Sequence, residues 1–175
     1  MNDLLSMPTR RRVIAGIAVV LGSIASTSRG VAQQPSMGQQ PAEKSADPRT
    51  SIHYELDFKS TPQRFYDAIV DQKQFAAFTG MPATIDATPG GAFSMFGGMI
   101  VGRNVELVPG QRIVQAWRPA HWDPGIYSIV HFELKPHAQE CTLVFDHTSF
   151  PVGDYDHLDW GWKNHYWEPL NKYFA

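Results

Sequence analysis

From Ser51 the chain alternates apolar and polar side chains: Ile52, Tyr54, Leu56 and Phe58 are separated by His53, Glu55 and Asp57. A period of two sustained this long marks a strand with one buried face. The pattern returns downstream, where Ser128, Val130, Phe132 and Leu134 alternate with Tyr127, Ile129, His131 and Glu133. Between the two stretches stand turn signals at Pro89-Gly90-Gly91, Pro109-Gly110 and Asp123-Pro124-Gly125. They bracket strands expected at Ala92–Phe96, Ile100–Val108, Arg112–Arg118, Tyr127–Lys135 and Cys141–Thr148. Gly102, inside one of these, predicts a bulge or a sharp bend.

Helices are expected in two places. Ser60-Thr61-Pro62 supplies a capping hydroxyl and a proline at the first helical position, and Phe65, Ala68 and Ile69 then share one face. A second short helix through Gln74–Phe78 ends at Gly80. The chain closes on a long helix, about Asp154 to Tyr173, containing the stretch DHLDWGWKNHYW. Leu158, Trp162, His165, Tyr166, Pro169, Leu170 and Tyr173 fall on one broad face, with Trp160 and Trp167 on a second stripe. Gly161 is expected to let the helix backbone approach the sheet closely, and Pro169 to kink the last turn. Asp159 and Lys163 read as an exposed ion pair. One strand, two short helices, further strands and a terminal helix make an α+β domain with a curved antiparallel sheet of about six to seven strands.

The front of the chain reads differently. Arg10-Arg11-Arg12 precedes an apolar run from Val13 to about Ala25, too short and glycine-rich for a comfortable membrane span. Gly30-Val31-Ala32 offers small residues for cleavage after Ala32. Thr9 to Ile14, TRRRVI, resembles the twin-arginine export signal, so residues 1–32 are expected to direct export of the folded protein to the periplasm or beyond; an uncleaved N-terminal anchor is the alternative. After cleavage no stable membrane span is expected. Residues 33–49, rich in Gln, Pro and Ser, are expected to be a disordered linker, leaving one domain at 50–175. Cleavage would remove four of the 15 basic residues and one of the 17 acids, leaving 11 against 16 and a formal charge of −5. No basic patch points to nucleic acid. The single cysteine, Cys141, cannot form an internal disulfide, so stability rests on a packed core.

The ordered set of segments resembles a known group. Gly91-Ala92-Phe93, Gly102, Val105-Glu106-Leu107-Val108-Pro109-Gly110-Gln111-Arg112-Ile113-Val114 and Trp117 carry the first part. Ser128 to Pro136, Cys141 to His147 and Gly161-Trp162 complete it. Together they resemble the START-like (SRPBCC, helix-grip) superfamily and, within it, the homologues of the heat-shock protein 90 ATPase activator. The resemblance implies a curved sheet wrapped on the long C-terminal helix. Its members include lipid carriers, ligand-binding proteins and polyketide cyclases. The family name implies a chaperone partner, but export would separate this chain from ATP and from the cytosolic chaperone. Fold similarity alone does not deliver function.

The residues offer little for covalent chemistry. His157 and His165 lie about 12 Å apart along a helix, too far to share an ion, so no metal and no cofactor is expected. No G-x-S-x-G elbow is present. Cys141 reads as a packed thiol. His147 shares a strand face with Leu143 and Phe145, so its imidazole is the candidate acid–base group if it reaches a cavity, and otherwise a hydrogen-bonded core histidine. The apolar inventory favours a pocket between sheet and helix, lined by Phe75, Phe78, Phe93, Met95, Met99, Trp117, Phe132, Phe145, Trp162 and Tyr166. His147, Tyr127 and Tyr166 are the candidates for orienting a ligand's polar end. Three readings follow: a binder or carrier of a small hydrophobic molecule, a cyclase- or hydrolase-type enzyme using the same cavity with His147, or a protein-interaction module related to the activators.

Overall fold

The computed structural model describes residues 46–138 and 140–175. The expected signal segment 1–32 and most of the expected linker lie outside the described residues. Strand β1 (Ser51–Phe58) is followed by α1 (Pro62–Val70), α2 (Gln72–Thr79), β2 (Thr84–Ile85), β3 (Ala92–Met95) and a 3-10 turn at Phe96–Gly98. Then come β4 (Ile100–Val108), β5 (Arg112–Pro119), β6 (Ser128–His137), β7 (Glu140–Thr148), α3 (Tyr155–Trp162), a π-helical segment (Lys163–Trp167) and α4 (Glu168–Phe174). The strands form one seven-stranded antiparallel sheet in the order β1-β7-β6-β5-β4-β3-β2. The α+β class with a curved sheet and a long closing helix is therefore as the sequence predicts, with the two-residue β2 added.

Alternation places the core. Val130, Phe132 and Leu134 on β6 and Leu143, Phe145 and His147 on β7 are buried, and Phe132 pairs with Phe145 across the register. Leu158, Trp162, Tyr166, Leu170 and Phe174 seal that face from the helix side. The short helices start where their caps dictate. Thr61 Oγ1 accepts from the Arg64 N–H, and Asp71 Oδ1 accepts from the N–H groups of Lys73 and Gln74, both at 2.9 Å. Asp71 thus starts α2 two residues earlier than its apolar face suggests. Gly80, at φ 69°, ends α2 in the left-handed conformation that glycine adopts without a steric penalty.

Two backbone expectations are corrected. The irregularity in β4 falls between Asn104 and Glu106, not at Gly102. Gly102 is required for a different reason: a Cβ there would sit 2.1 Å from the Ala116 carbonyl oxygen and 2.3 Å from the Phe93 ring. Gly161 does not admit a close approach, since a Cβ there would meet nothing within 4 Å. Pro169 follows a change of helical pitch. The helix widens ahead of it, and the Glu168 N–H bonds to the Lys163 carbonyl five residues back.

The π segment decides which aromatics face the sheet. In a regular α-helix residues five apart point about 140° away from each other, at ~100° per residue. Here Trp162 and Trp167 stack with centroids 5.4 Å apart and planes 18° from parallel. Trp167 is consequently buried, while Trp160, expected on the same stripe, is 56% exposed. No helix among the described residues is long and apolar enough to cross a membrane.

Candidate functional site

One wall of the site is laid down by the chain reversal at Phe96–Gly98. Phe96 has φ 52°, a left-handed value that costs a bulky residue of order 1 kcal/mol or more. Its ring is thereby turned inward, edge-on to Phe75 at 5.2 Å and to Tyr166 at 5.5 Å. The second wall is the end of β5 and the loop after it. There Trp122 is buried and its indole N–H bonds the Asp154 carboxylate, tying the loop to the start of α3. That bond replaces a side-chain cap at Asp154 and fixes Ala120 and His121 at the mouth. The third wall is α3 and the π segment, which contribute Leu158, Trp160, Gly161, Trp162, His165 and Tyr166.

These walls enclose a cleft of about 450 Å³. It is lined by apolar and aromatic side chains and by three imidazoles, those of His121, His157 and His165, and its lining contains no Asp, Glu, Lys or Arg. Met99 and Trp160, both more than half exposed, rim the opening with Met81.

Of the twelve residues expected to line a pocket, Met99, Trp117, Trp162 and Tyr166 do so. Phe75, Phe78, Phe93, Met95, Phe132 and Phe145 are buried in the packed core behind it. Tyr127 is 47% exposed, outside the cleft, with the Arg118 guanidinium 6.0 Å from its ring centre. Sequence reasoning missed Phe96, Ile100, His121, His157 and Trp160. The signal for Phe96 was available in Gly97-Gly98, which marks a reversal, but its direction depends on a positive φ that a pattern does not carry.

His147 lies beneath the cleft rather than in it. Its Nδ1 accepts from the Trp162 indole N–H at 2.9 Å, which leaves the ring proton on Nε2. Nε2 then donates to Ser128 Oγ at 2.7 Å, and Ser128 donates to the Trp117 carbonyl at 3.0 Å. Burial pushes the His147 pKa down to about 3, so the ring is neutral. Both nitrogens are engaged and neither faces the cleft, so the imidazole holds the closing helix against β6 and β7. Among the described residues no cluster of three or more metal-ligating side chains occurs. The Cys141 thiol is buried and its pKa rises to about 11 by desolvation.

The floor of the cleft is chemically less settled. Trp117 stacks on Trp162 at 5.4 Å, and both line the cleft. Trp162 has a hydrogen-bond partner; the buried Trp117 Nε1 has none among the described residues. The Tyr166 hydroxyl, close to that indole, donates only to the Met95 sulphur at 3.7 Å.

Comparison with known proteins agrees with this architecture. The family model described as activator of Hsp90 ATPase homolog 1-like protein matches residues 59–175. The activator of 90 kDa heat shock protein ATPase homolog of Dictyostelium discoideum is 32% identical over 120 residues, covering 68% of this chain and 31% of that protein. Human activator homolog 1 is 28% identical over 128 residues, covering 73% and 38%. The chain thus spans about a third of the length of these relatives. A solved HSP90 activator from Plasmodium falciparum superposes with TM-score 0.69 at 22% identity, covering 71% of this chain and 96% of that one. CalU16 from Micromonospora echinospora gives 0.62 at 17%, covering 76% and 85%; both likenesses are of fold. The match over most of the domain places the chain in the activator of Hsp90 ATPase homolog 1-like family.

Proposed function

We propose that this domain binds a small apolar molecule in the cleft between β5, the Phe96 turn and the closing helix. The observation that carries the reading is Gly161. A glycine inside a helix costs about 1 kcal/mol relative to alanine. Here no neighbour within 4 Å demands it, and it borders the cleft. A residue that weakens its helix for no packing reason is accounted for if the space it leaves is used. The left-handed Phe96 on the opposite wall is a second local cost incurred at the same site. Burial of apolar ligand surface supplies affinity at about 25 cal/mol per Å², before ordering costs.

The enzyme reading loses its acid–base candidate, because His147 is neutral, doubly bonded and behind the floor. A protein-interaction reading is favoured by one feature, the exposed Met81, Met99 and Trp160 around the mouth. Such a collar suits an apolar segment of a partner protein, and the matched relatives are named as activators of an ATPase chaperone. We also take residues 1–32 as an export signal, which would make the ligand one met outside the cytoplasm.

Native mass spectrometry of protein purified from its own host tests the binding reading. A releasable extra mass in the wild type, missing from a folded Gly161→Leu variant, supports it. A bare polypeptide mass, together with partner capture that depends on Trp160 and not on Gly161, would transfer the site to the protein-interaction reading.

A further inference from the structure

The two aromatic side chains at the cleft floor point to the chemistry of the ligand's inner end. Trp117 and Tyr166 are each at least 95% buried, and both line the cleft. An indole N–H is a donor only, and a buried donor left unpaired forfeits the water it had in the unfolded chain. The contrast with Trp162 is internal to the protein: that indole has its acceptor in His147, while its stacked neighbour Trp117 has none among the described residues. The nearby polar group is the Tyr166 hydroxyl, whose hydrogen is directed at a thioether sulphur, a weak acceptor. Burial raises the phenol's pKa, so it remains an un-ionised donor.

We propose that this pair recognises a hydrogen-bond acceptor, a carbonyl oxygen, at the inner end of an otherwise apolar ligand. The Tyr166 O–H turns from Met95 to the ligand oxygen. The Trp117 N–H, unpaired in the free protein, donates to the second lone pair of the same ligand oxygen. One ligand atom thus completes two bonds, and the protein-side groups are already desolvated before it arrives. A plain hydrocarbon of the same shape leaves both donors as they are. A carboxylate is disfavoured, because the cleft walls offer no Lys or Arg to a charge at that depth. The ligand class is therefore a neutral ketone, aldehyde or ester on an apolar skeleton. The inference rests on the cleft being a ligand site, and the experiment separates the two.

Two probes of nearly equal shape, 2-acetonaphthone and 2-isopropenylnaphthalene, differ in whether the inner double bond ends in oxygen or CH₂. Calorimetry on the wild-type protein is expected to find the ketone about tenfold tighter. Tyr166→Phe, which removes one oxygen and keeps the ring, should remove most of the ketone's advantage and leave the hydrocarbon unchanged. The Trp117 indole proton should move downfield in NMR with the ketone and stay in place with the hydrocarbon. Equal affinities for the two probes would overturn the carbonyl assignment while upholding the cleft. A Trp117 indole proton that is already hydrogen-bonded in the free protein, and unmoved by the ketone, would overturn it in favour of a resident water. Binding of neither probe would remove both readings.

Discussion

Trp162 donates its indole N–H to Nδ1 of His147, a bond that joins the closing helix to β7, next to the edge strand β1. The bond requires a neutral imidazole. The unfolded chain binds a proton at His147 below about pH 6.5, whereas the folded chain does so only near 3. Between those values the unfolded state holds more protons, so stability is complete above pH 6.5 and is lost as pH falls. The maximal slope from this residue is about 1.4 kcal/mol per pH unit. Urea midpoints taken from pH 7.5 to 4.5 should show it. In His147→Gln the same series should be flatter above pH 5, whatever its absolute stability.

Gly161→Ala should raise stability by about 1 kcal/mol, since the helix gains propensity and the new methyl meets nothing. Thermal unfolding measures it. A loss of stability would mean that the glycine has a packing role the structure does not contain.

Gly102→Ala should do the opposite. Its Cβ would collide with the Ala116 carbonyl, a backbone atom of the paired strand, as well as with the Phe93 ring. Destabilisation of about 3 kcal/mol or more is expected from overpacking against backbone. An unchanged urea midpoint would contradict the close approach.

Cys141 should be silent to thiol reagents. Buried and held protonated up to about pH 11, it presents almost no thiolate at pH 8. Reaction with a disulfide reagent should be negligible in buffer and complete in urea. Rapid labelling of the folded protein would show that the start of β7 opens readily.

The sheet was legible because its signal is local. Ile52 to Phe58 and Ser128 to Leu134 carry the period of two on their face, and Asp71, Gly80 and Pro62 carry the helix ends in single residues. The cleft was less legible because it is a difference between neighbours. Phe75 and Phe96 are both phenylalanines in largely buried positions, yet only the second borders open space, through a backbone angle that composition does not encode. His121 reaches the mouth through Trp122's bond to Asp154, thirty-two residues away. Trp160 and Trp167, expected on one stripe, are separated, one exposed and one buried, because the periodicity assumed α pitch throughout.

That change of pitch has a consequence of its own. The segment Lys163–Trp167 acts as a phase shifter, adding to the helix one residue more than its repeat calls for. The part before it and the part after it therefore keep independent bearings on the sheet. Leu170 and Phe174 can stay seated in the core while the bearing of Gly161 and Leu158 is set by the bonds of Trp162 to His147 and of Asp154 to Trp122. A single-residue deletion in the segment would rejoin the two phases and swing one half by about 100°. A domain built this way can vary the side chains facing its cleft without renegotiating how its last two turns are anchored.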